Sequence, residues 1–225
     1  QTNWRIKPCV TDRFYDDIDE IGYTDDPPGP GYWINAYGSR REPLSRDSAD
    51  TPPVDEFGLV ESDPADHSNW NEDGDCSTAE ENQILPLTAD KVSLIQKIDG
   101  LEADSITNGP LGTAFTWYTI SPDWGSIWGG ESAPAPYSDL AERQSNGLPK
   151  LRKVAIIMSD GVYNSYRAWS NRDPIETSGF AKQLCENMKA KGIEIYTVGF
   201  ALDELSGSEY DIAVDTLQSC GTDID

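Results

Sequence analysis

Residues 153–158, KVAIIM, followed at once by SDG at residues 159–161, decide the fold predicted for this chain. Residues 154–158 are all apolar, so this strand has two faces to bury, which is typical of strands inside a parallel sheet. In open α/β sheets, ligands bind beyond the carboxyl ends of the strands. Asp160 stands at that end of the strand and is therefore the first candidate site residue.

Helix and strand patterns alternate from residue 84 onward. The spacing of apolar residues predicts helices at 89–101, after 107–110, at 174–190 and at 209–219, and strands at 153–158 and 193–200. Alternation of this kind implies right-handed crossovers between parallel strands. We therefore expect an α/β fold, a doubly wound and mostly parallel sheet with helices on both faces.

Two parts of the chain have the composition of loops. Residues 1–83 are acidic, rich in Asp, Pro and Gly, and show little periodicity, so we interpret them as a loop-rich insertion or N-terminal part of the same domain. Residues 84–225 form the α/β portion, with a second insertion at 123–150. Trp117, Trp124 and Trp128 suit either a platform for sugar rings or, more commonly, the packing of such an insertion onto its domain.

The charge of the chain excludes some partners. Its 17 Lys and Arg against 40 Asp and Glu give a net charge of -23, which repels nucleic acids and anionic lipids and attracts cations. The longest wholly apolar run, 154–158, is far shorter than the ~20 residues of a membrane-spanning helix. No signal peptide is visible at Gln1, so we expect a processed or excised piece of a longer protein.

Four cysteines, Cys9, Cys76, Cys185 and Cys220, lie far apart and form no C-x-x-C pair, which argues against a zinc ribbon. Their even number in an acidic, Trp-rich chain favours two disulfides and an oxidising compartment, the alternative being four buried thiols. Of the three possible pairings we favour Cys9 with Cys76 and Cys185 with Cys220. A short β-unit would bring the two segments of the second pair together.

Several short segments follow one another in a recognisable order: PLT at 86–88, Thr107 five residues before Gly112, SP at 121–122, IMSDG at 157–161, LCE at 184–186, IYTVGF at 195–200 and LQSC at 217–220. This order resembles the von Willebrand factor A domain over about residues 80–222. In particular it is similar to the version found at the C-terminal end of TadG-like proteins of bacterial tight-adherence (Tad/Flp) pilus systems.

The resemblance implies a metal-ion-dependent adhesion site at the C-terminal edge of the sheet, with Thr107 and Asp160 as ligands. Hydroxyl and carboxylate oxygens suit Mg²⁺ or Ca²⁺ and leave a position for an acidic side chain of a protein partner. The function implied is a non-enzymatic adhesion or assembly module of a bacterial surface or pilus. Its location would be extracellular, at the cell surface or periplasmic, with anchoring through a segment absent from this chain.

The chain also departs from the family pattern. It has no D-x-S-x-S motif, and neither the first strand nor the last strand and helix of the family can be recognised. The first strand has either diverged, or, as we favour, the remaining part of the domain comes from another chain or was lost. The alternative function is therefore a structural filament or surface-layer subunit that uses the fold as a scaffold without a functional metal.

A second metal-binding pattern lies in the N-terminal region. Asn69, Asn71, Asp73 and Glu80 have the spacing of a calcium loop, with Gly74 at the turn position. Asn replaces the usual first Asp and no helix precedes the loop, so chance spacing in an Asp-rich and Asn-rich segment is the more common explanation. His67, the only histidine, lies in a polar loop and offers no defensible catalytic triad, so we do not expect an enzyme.

Overall fold

The computed structural model describes residues 23–27, 83–101, 108–166, 169–170 and 173–223. The chain forms two compact units. One contains most of helix α1 (Lys91–Asp99), which agrees with the helix predicted at 89–101 and has no buried side chain. The other, called the sheet unit here, comprises Tyr23–Asp25, Pro86–Lys91 and Asp104–Asp225. The candidate site belongs to the sheet unit.

Two strands form the parallel sheet of this unit. Strand β1 (Val154–Ser159) pairs with β4 (Glu194–Gly199), in a register that runs from Val154 opposite Glu194 to Ser159 opposite Gly199. A short antiparallel pair, β2 (Ser165–Tyr166) and β3 (Trp169–Ser170), lies between them in sequence. The predicted strands are therefore present, and the mixture of helices with a parallel strand pair is compatible with the α/β class. The doubly wound arrangement stays a prediction.

The described residues of the sheet unit include four α-helices: α2 (Gly109–Ile120), α3 (Gly125–Trp128), α4 (Pro174–Ala190) and α5 (Ser208–Cys220). Helix α4 has the predicted bounds because the carboxylate of Asp173 accepts the Ile175 N–H at its start. Gly192, whose φ of +83° favours glycine, follows its end. In the described part of the chain, no helix combines the length and apolar composition needed to cross a bilayer.

The helices pack on one face of the sheet. Helix α4 contacts both α2 and α5, and these three helices lie against the strands. Side chains of β1 alternate accordingly, with Ala155 and Ile157 buried and with Ile156 and Met158 61% and 63% exposed. Among the described residues, the second face of the sheet is therefore open, although its side chains are apolar.

Aromatic rings fill the space beside α2. Trp117, Tyr118 and Trp124 are almost completely buried, and the rings of Tyr118 and Trp124 stack with centroids 4.3 Å apart. Trp128 stacks on Trp124 and donates its indole N–H to the carbonyl of Tyr118 at 2.7 Å. These contacts favour the packing role of the three tryptophans over a sugar-binding platform.

A disulfide joins α4 to α5. Cys185 and Cys220 are both buried and bonded to each other, which confirms the predicted pair. Cys9 and Cys76 lie outside the described residues. Because the bond closes a loop with a sequence separation of 35, it restricts the unfolded chain as well as holding the two helices together.

Replacing both Cys185 and Cys220 by Ser should lower the free energy of unfolding by about 2–4 kcal/mol. Urea denaturation followed by tryptophan fluorescence measures this loss. Peptide mapping of the non-reduced wild-type protein should recover the two cysteines in one linked fragment. Recovery of Cys185 and Cys220 as free thiols would contradict the assignment.

Candidate functional site

The carboxyl edge of the sheet carries the predicted site residue Asp160. Because β1 and β4 are parallel and Ser159 pairs with Gly199, both strands end at this edge. Asp160 is exposed, and no hydrogen bond or ion pair from the described residues involves its carboxylate. The carboxylate is therefore available to a ligand from solution.

Hydrogen bonds between Ser159 and Gly161 stabilise the turn that contains Asp160. The buried hydroxyl of Ser159 donates to the carbonyl of Gly161 at 2.9 Å and also accepts the Gly161 N–H at 3.3 Å. These two bonds close the turn on either side of Asp160 without using its side chain. The backbone at the end of β1 is thus fixed while the carboxylate stays open to solvent.

The start of α2 lies against this turn. The buried ring of Tyr163 occupies the space beside Gly109, where a Cβ atom would stand 2.1–2.3 Å from the ring. Burial raises the pKa of Tyr163, and its hydrogen bond with Ser159 opposes that effect. Only glycine permits this approach, so the segment entering α2 and the segment leaving β1 meet at one place.

Thr107, the second predicted ligand, lies outside the described residues. The helix that follows has Asn108 as its N-cap, whose side-chain oxygen accepts the Leu111 N–H at 3.1 Å, and Pro110 occupies its first turn. Asn108, and not Thr107, therefore caps the N-terminus of α2. Gly109 and Tyr163 are in contact. Thr107 precedes Gly109 by two residues and Asp160 precedes Tyr163 by three, so both predicted ligands lie close in sequence to this contact.

The second proposed metal loop, Asn69, Asn71, Asp73 and Glu80, also falls outside the described residues. Within the part of the chain that is described, no group of three or more His, Cys, Asp or Glu side chains is placed to hold a metal ion. A cation at Asp160 would therefore depend on hydroxyl groups, water and residues beyond these ranges.

A buried carboxylate that sequence reasoning missed lies elsewhere in the sheet unit. Asp25 is only 3% exposed, and one of its oxygens accepts hydrogen bonds from the hydroxyls of Ser121 and Tyr137, each at 2.6 Å. The ammonium of Lys191 lies 3.4 Å from the other oxygen. The indole of Trp124 donates to the Asp25 carbonyl at 3.1 Å. The charge is thus neutralised and its oxygens are bonded.

Tyr137 connects this carboxylate to two lysines and a tryptophan. Its oxygen accepts the indole N–H of Trp117 at 2.9 Å, and the ammonium groups of Lys153 and Lys191 lie 5.3 and 5.4 Å from its ring centre. Burial, and then the bond to Asp25, raises the pKa of Tyr137 well above its usual range, so the phenol stays protonated and donates.

Lys153 completes the cluster from the start of β1. Its buried ammonium donates to the carbonyl of Ile120 at 2.7 Å, and burial lowers its pKa. The nearby carboxylates of Asp139 and Asp25 oppose this shift. Each of these groups is bonded to the protein itself, so we interpret the cluster as an anchor, not as a catalytic site.

The anchor fixes the segment Tyr23–Asp25 to the rest of the unit. The side-chain amide of Asn187 donates to the Tyr23 carbonyl at 2.8 Å, and the Tyr23 ring lies 6.2 Å from that of Phe180. In the sequence, Asp25 begins the run DDPPGPG, which is typical of a solvated loop. No local signal distinguishes it from the other acids of the N-terminal region.

Comparison of the chain with family models, with curated proteins and with solved structures finds no match.

Replacing Gly109 by Ala should destabilise the protein by about 1–3 kcal/mol, because the new methyl group overlaps the Tyr163 ring. Gly112→Ala, in the same helix, is the matched control, since a Cβ there meets no atom within 4 Å. The control should be neutral or stabilising by up to about 1 kcal/mol. Thermal and urea denaturation compare the two variants, and equal stabilities would contradict the close contact.

Replacing Asp25 by Ala should cost about 2–4 kcal/mol of unfolding free energy, because the Ser121 and Tyr137 hydroxyls and the Lys191 charge lose their common acceptor. The control is Asp215→Ala, which removes an acid that is 64% exposed and pairs with Lys182 at the surface. That change should stay within about 0.5 kcal/mol of wild type. Similar losses in both variants would refute the anchor.

Proposed function

We propose that this chain is a non-enzymatic adhesion or assembly module of a bacterial surface or a Tad/Flp-type pilus, with a von Willebrand factor A-like fold. It binds protein partners through Mg²⁺ or Ca²⁺ held at the carboxyl edge of the sheet. Asp160 and Thr107 supply a carboxylate and a hydroxyl. The other ligands come from a part of the domain outside this chain, and an acidic side chain of the partner completes the shell.

The observation that carries this proposal is the exposure of the Asp160 carboxylate at the end of β1. Asp160 is an exposed carboxylate that pairs with no described residue, and it directly follows a strand of a parallel sheet. That is the position that ligand-binding groups occupy in open α/β folds. The hydrogen bonds of Ser159 hold the turn without consuming that carboxylate. Such an arrangement leaves the charge free to bind a cation.

The contact between Gly109 and Tyr163 supports a role for the Thr107 segment at the same edge. It brings the start of α2 to the segment that follows Asp160. With Asn108 serving as the N-cap, a hydroxyl one residue earlier is not needed to start the helix. Two segments far apart in sequence are therefore suited to contribute oxygens to one ion.

An extracellular, cell-surface or periplasmic location accords with the disulfide between Cys185 and Cys220, since such bonds persist in oxidising compartments. The net charge of -23 accords with a cation-dependent partner and disfavours nucleic acid. The polypeptide itself would bind the ion weakly, because two protein oxygens fill only part of the coordination shell of Mg²⁺.

The second candidate is a structural filament or surface-layer subunit. The observation that favours it is the apolar second face of the sheet, which none of the described helices covers and which could pack between subunits. In that function Asp160 would end a strand without binding metal. Treatment with EDTA separates the two candidates, because only the adhesion module should lose partner binding.

Calorimetric titration with MgCl₂ and CaCl₂ in 150 mM NaCl tests the site in the complete assembly, which also contains the ligands outside this chain. Asp160→Asn should weaken the binding at least tenfold and leave the free energy of unfolding within about 0.5 kcal/mol, because the carboxylate is exposed and pairs with no described residue. Asp203→Asn is the control, since it removes the same charge from an exposed position just beyond β4.

The control separates a specific site from general attraction of cations to an acidic protein. Wild-type affinity should be retained in Asp203→Asn. If the two variants bind the ions equally well, Asp160 is not a ligand and the structural alternative is favoured.

A further inference from the structure

The side of β1 that faces away from β4, called the outer edge here, consists of the backbone groups of Val154, Ile156 and Met158. The Glu194 N–H donates to the Lys153 carbonyl at 2.9 Å, which establishes which backbone groups of β1 face β4. Along a paired parallel strand, the backbone groups of successive residues point alternately to one side and the other. The N–H and C=O groups of the outer edge therefore point away from β4, and no described residue bonds to them.

The opposite edge of the sheet is partly covered. Ile195, whose backbone groups point away from β1, donates its N–H to the hydroxyl of Thr222 at 2.9 Å and accepts the Thr222 N–H at 2.8 Å. The segment that follows α5 thus bonds to the free side of β4. Among the described residues no corresponding segment reaches the outer edge, so β1 is the strand whose whole free side lacks a neighbour there.

The composition of β1 is typical of a strand with a neighbour on each side. Edge strands are usually protected from further pairing by charged side chains, proline or a bulge. The three residues of the outer edge are uncharged, their side chains are 40–63% exposed, and the register of β1 with β4 is continuous. Strands that are apolar on both faces belong to the interior of parallel sheets. A further strand would supply both the missing hydrogen bonds and apolar cover.

We propose that the outer edge binds an extended, apolar strand of another polypeptide, which pairs with β1 in the parallel direction. Backbone hydrogen bonds hold such a strand, and its side chains select it. The inference rests on the proposed function for the source of the strand, which is the part of the domain outside this chain. A second copy of β1 is a poorer partner, because two copies related by a two-fold axis pair antiparallel and each has a charge of -23.

The parallel direction places the carboxyl end of the added strand beside Asp160. Parallel neighbours end at the same edge of a sheet, and β1 ends at Ser159. Side chains that follow the added strand would then lie near the Asp160 carboxylate, where the proposed cation needs further oxygen ligands. An antiparallel strand would bring its amino end to this place. The direction of pairing is therefore what connects strand binding with the cation site.

A synthetic peptide tests whether the outer edge accepts a strand. Its core is Val-Ile-Val-Ile-Val between two pairs of lysines, and N-methyl groups on both isoleucines leave it one edge that can pair, so it does not form sheets with itself. Fluorescence polarisation in 150 mM NaCl and EDTA measures binding of the labelled peptide to the 225-residue chain.

The control peptide carries N-methyl groups on all five core residues. It has the same charge and at least the same apolar area, but its core has no N–H donor. We expect it to bind at least tenfold more weakly. Adsorption of the peptide on the apolar face of the sheet, or attraction of its lysines to the acidic chain, would not produce this difference.

Ile156→Pro removes the central N–H of the outer edge and leaves the hydrogen bonds to β4 intact, which is a position where sheets tolerate proline. It should weaken binding of the first peptide at least fivefold. Thr197→Pro is the matched control, because the Thr197 N–H also points out of the sheet, but from β4. It should bind within twofold of wild type. Circular dichroism checks that both variants fold, and if either does not, the comparison of the two peptides decides.

The direction of the added strand is measured by NMR with a nitroxide on the peptide. A label at the carboxyl end should broaden the amide signals of Asp160 and Gly161. A label at the amino end should broaden those of Arg152 and Lys153 instead. The reverse pattern would show antiparallel pairing and would overturn the proposal.

Three further results would overturn it: equal binding of the two peptides, loss of binding in Thr197→Pro, and no binding at 1 mM peptide. The last result would show that the outer edge does not accept a strand. Binding is measured in EDTA and should be unchanged in Asp160→Asn, so strand pairing is judged without the cation. Failure of the metal titration and failure of strand binding are therefore separate results.

Discussion

The parallel pairing of β1 with β4 is the constraint on which the other features of the sheet unit depend. Parallel strands need a crossover, which α4 provides, and the crossover brings the ends of both strands to the same edge. Asp160 is exposed there because the strand ends at Ser159, whose hydroxyl bonds to the turn. Helices α2, α4 and α5 cover one face, and among the described residues the other face is apolar and open.

The buried carboxylate of Asp25 is the second interaction that stabilises the fold of the sheet unit. Its partners Ser121 and Tyr137 lie 96 and 112 positions away in the sequence, so no local preference brings them together. Burying a carboxylate is unfavourable unless hydrogen bonds and an opposite charge offset the loss of water. The anchor therefore specifies one position for Tyr23–Asp25, since a displaced segment would leave the hydroxyls and Lys191 without their acceptor.

Local patterns predicted much of the sheet unit. The apolar run of β1, the helical spacing in α4 and α5, and the glycine after α4 each depend on neighbouring residues, and their bounds agree within one or two positions. The pairing of Cys185 with Cys220 followed from the proximity of two predicted elements. Asp25 could not be predicted because its environment comes from distant segments. The sequence predicted that both faces of β1 are buried, whereas Ile156 is exposed. Which face of an apolar strand is covered depends on segments distant in sequence, so a local pattern does not show it.

An acidic chain with an open apolar face combines two opposing tendencies. The hydrophobic surface favours association at contact distance, whereas the charge of -23 disfavours the approach of any two copies. Any association of two copies would therefore need an apolar contact whose burial outweighs this repulsion, which salt weakens.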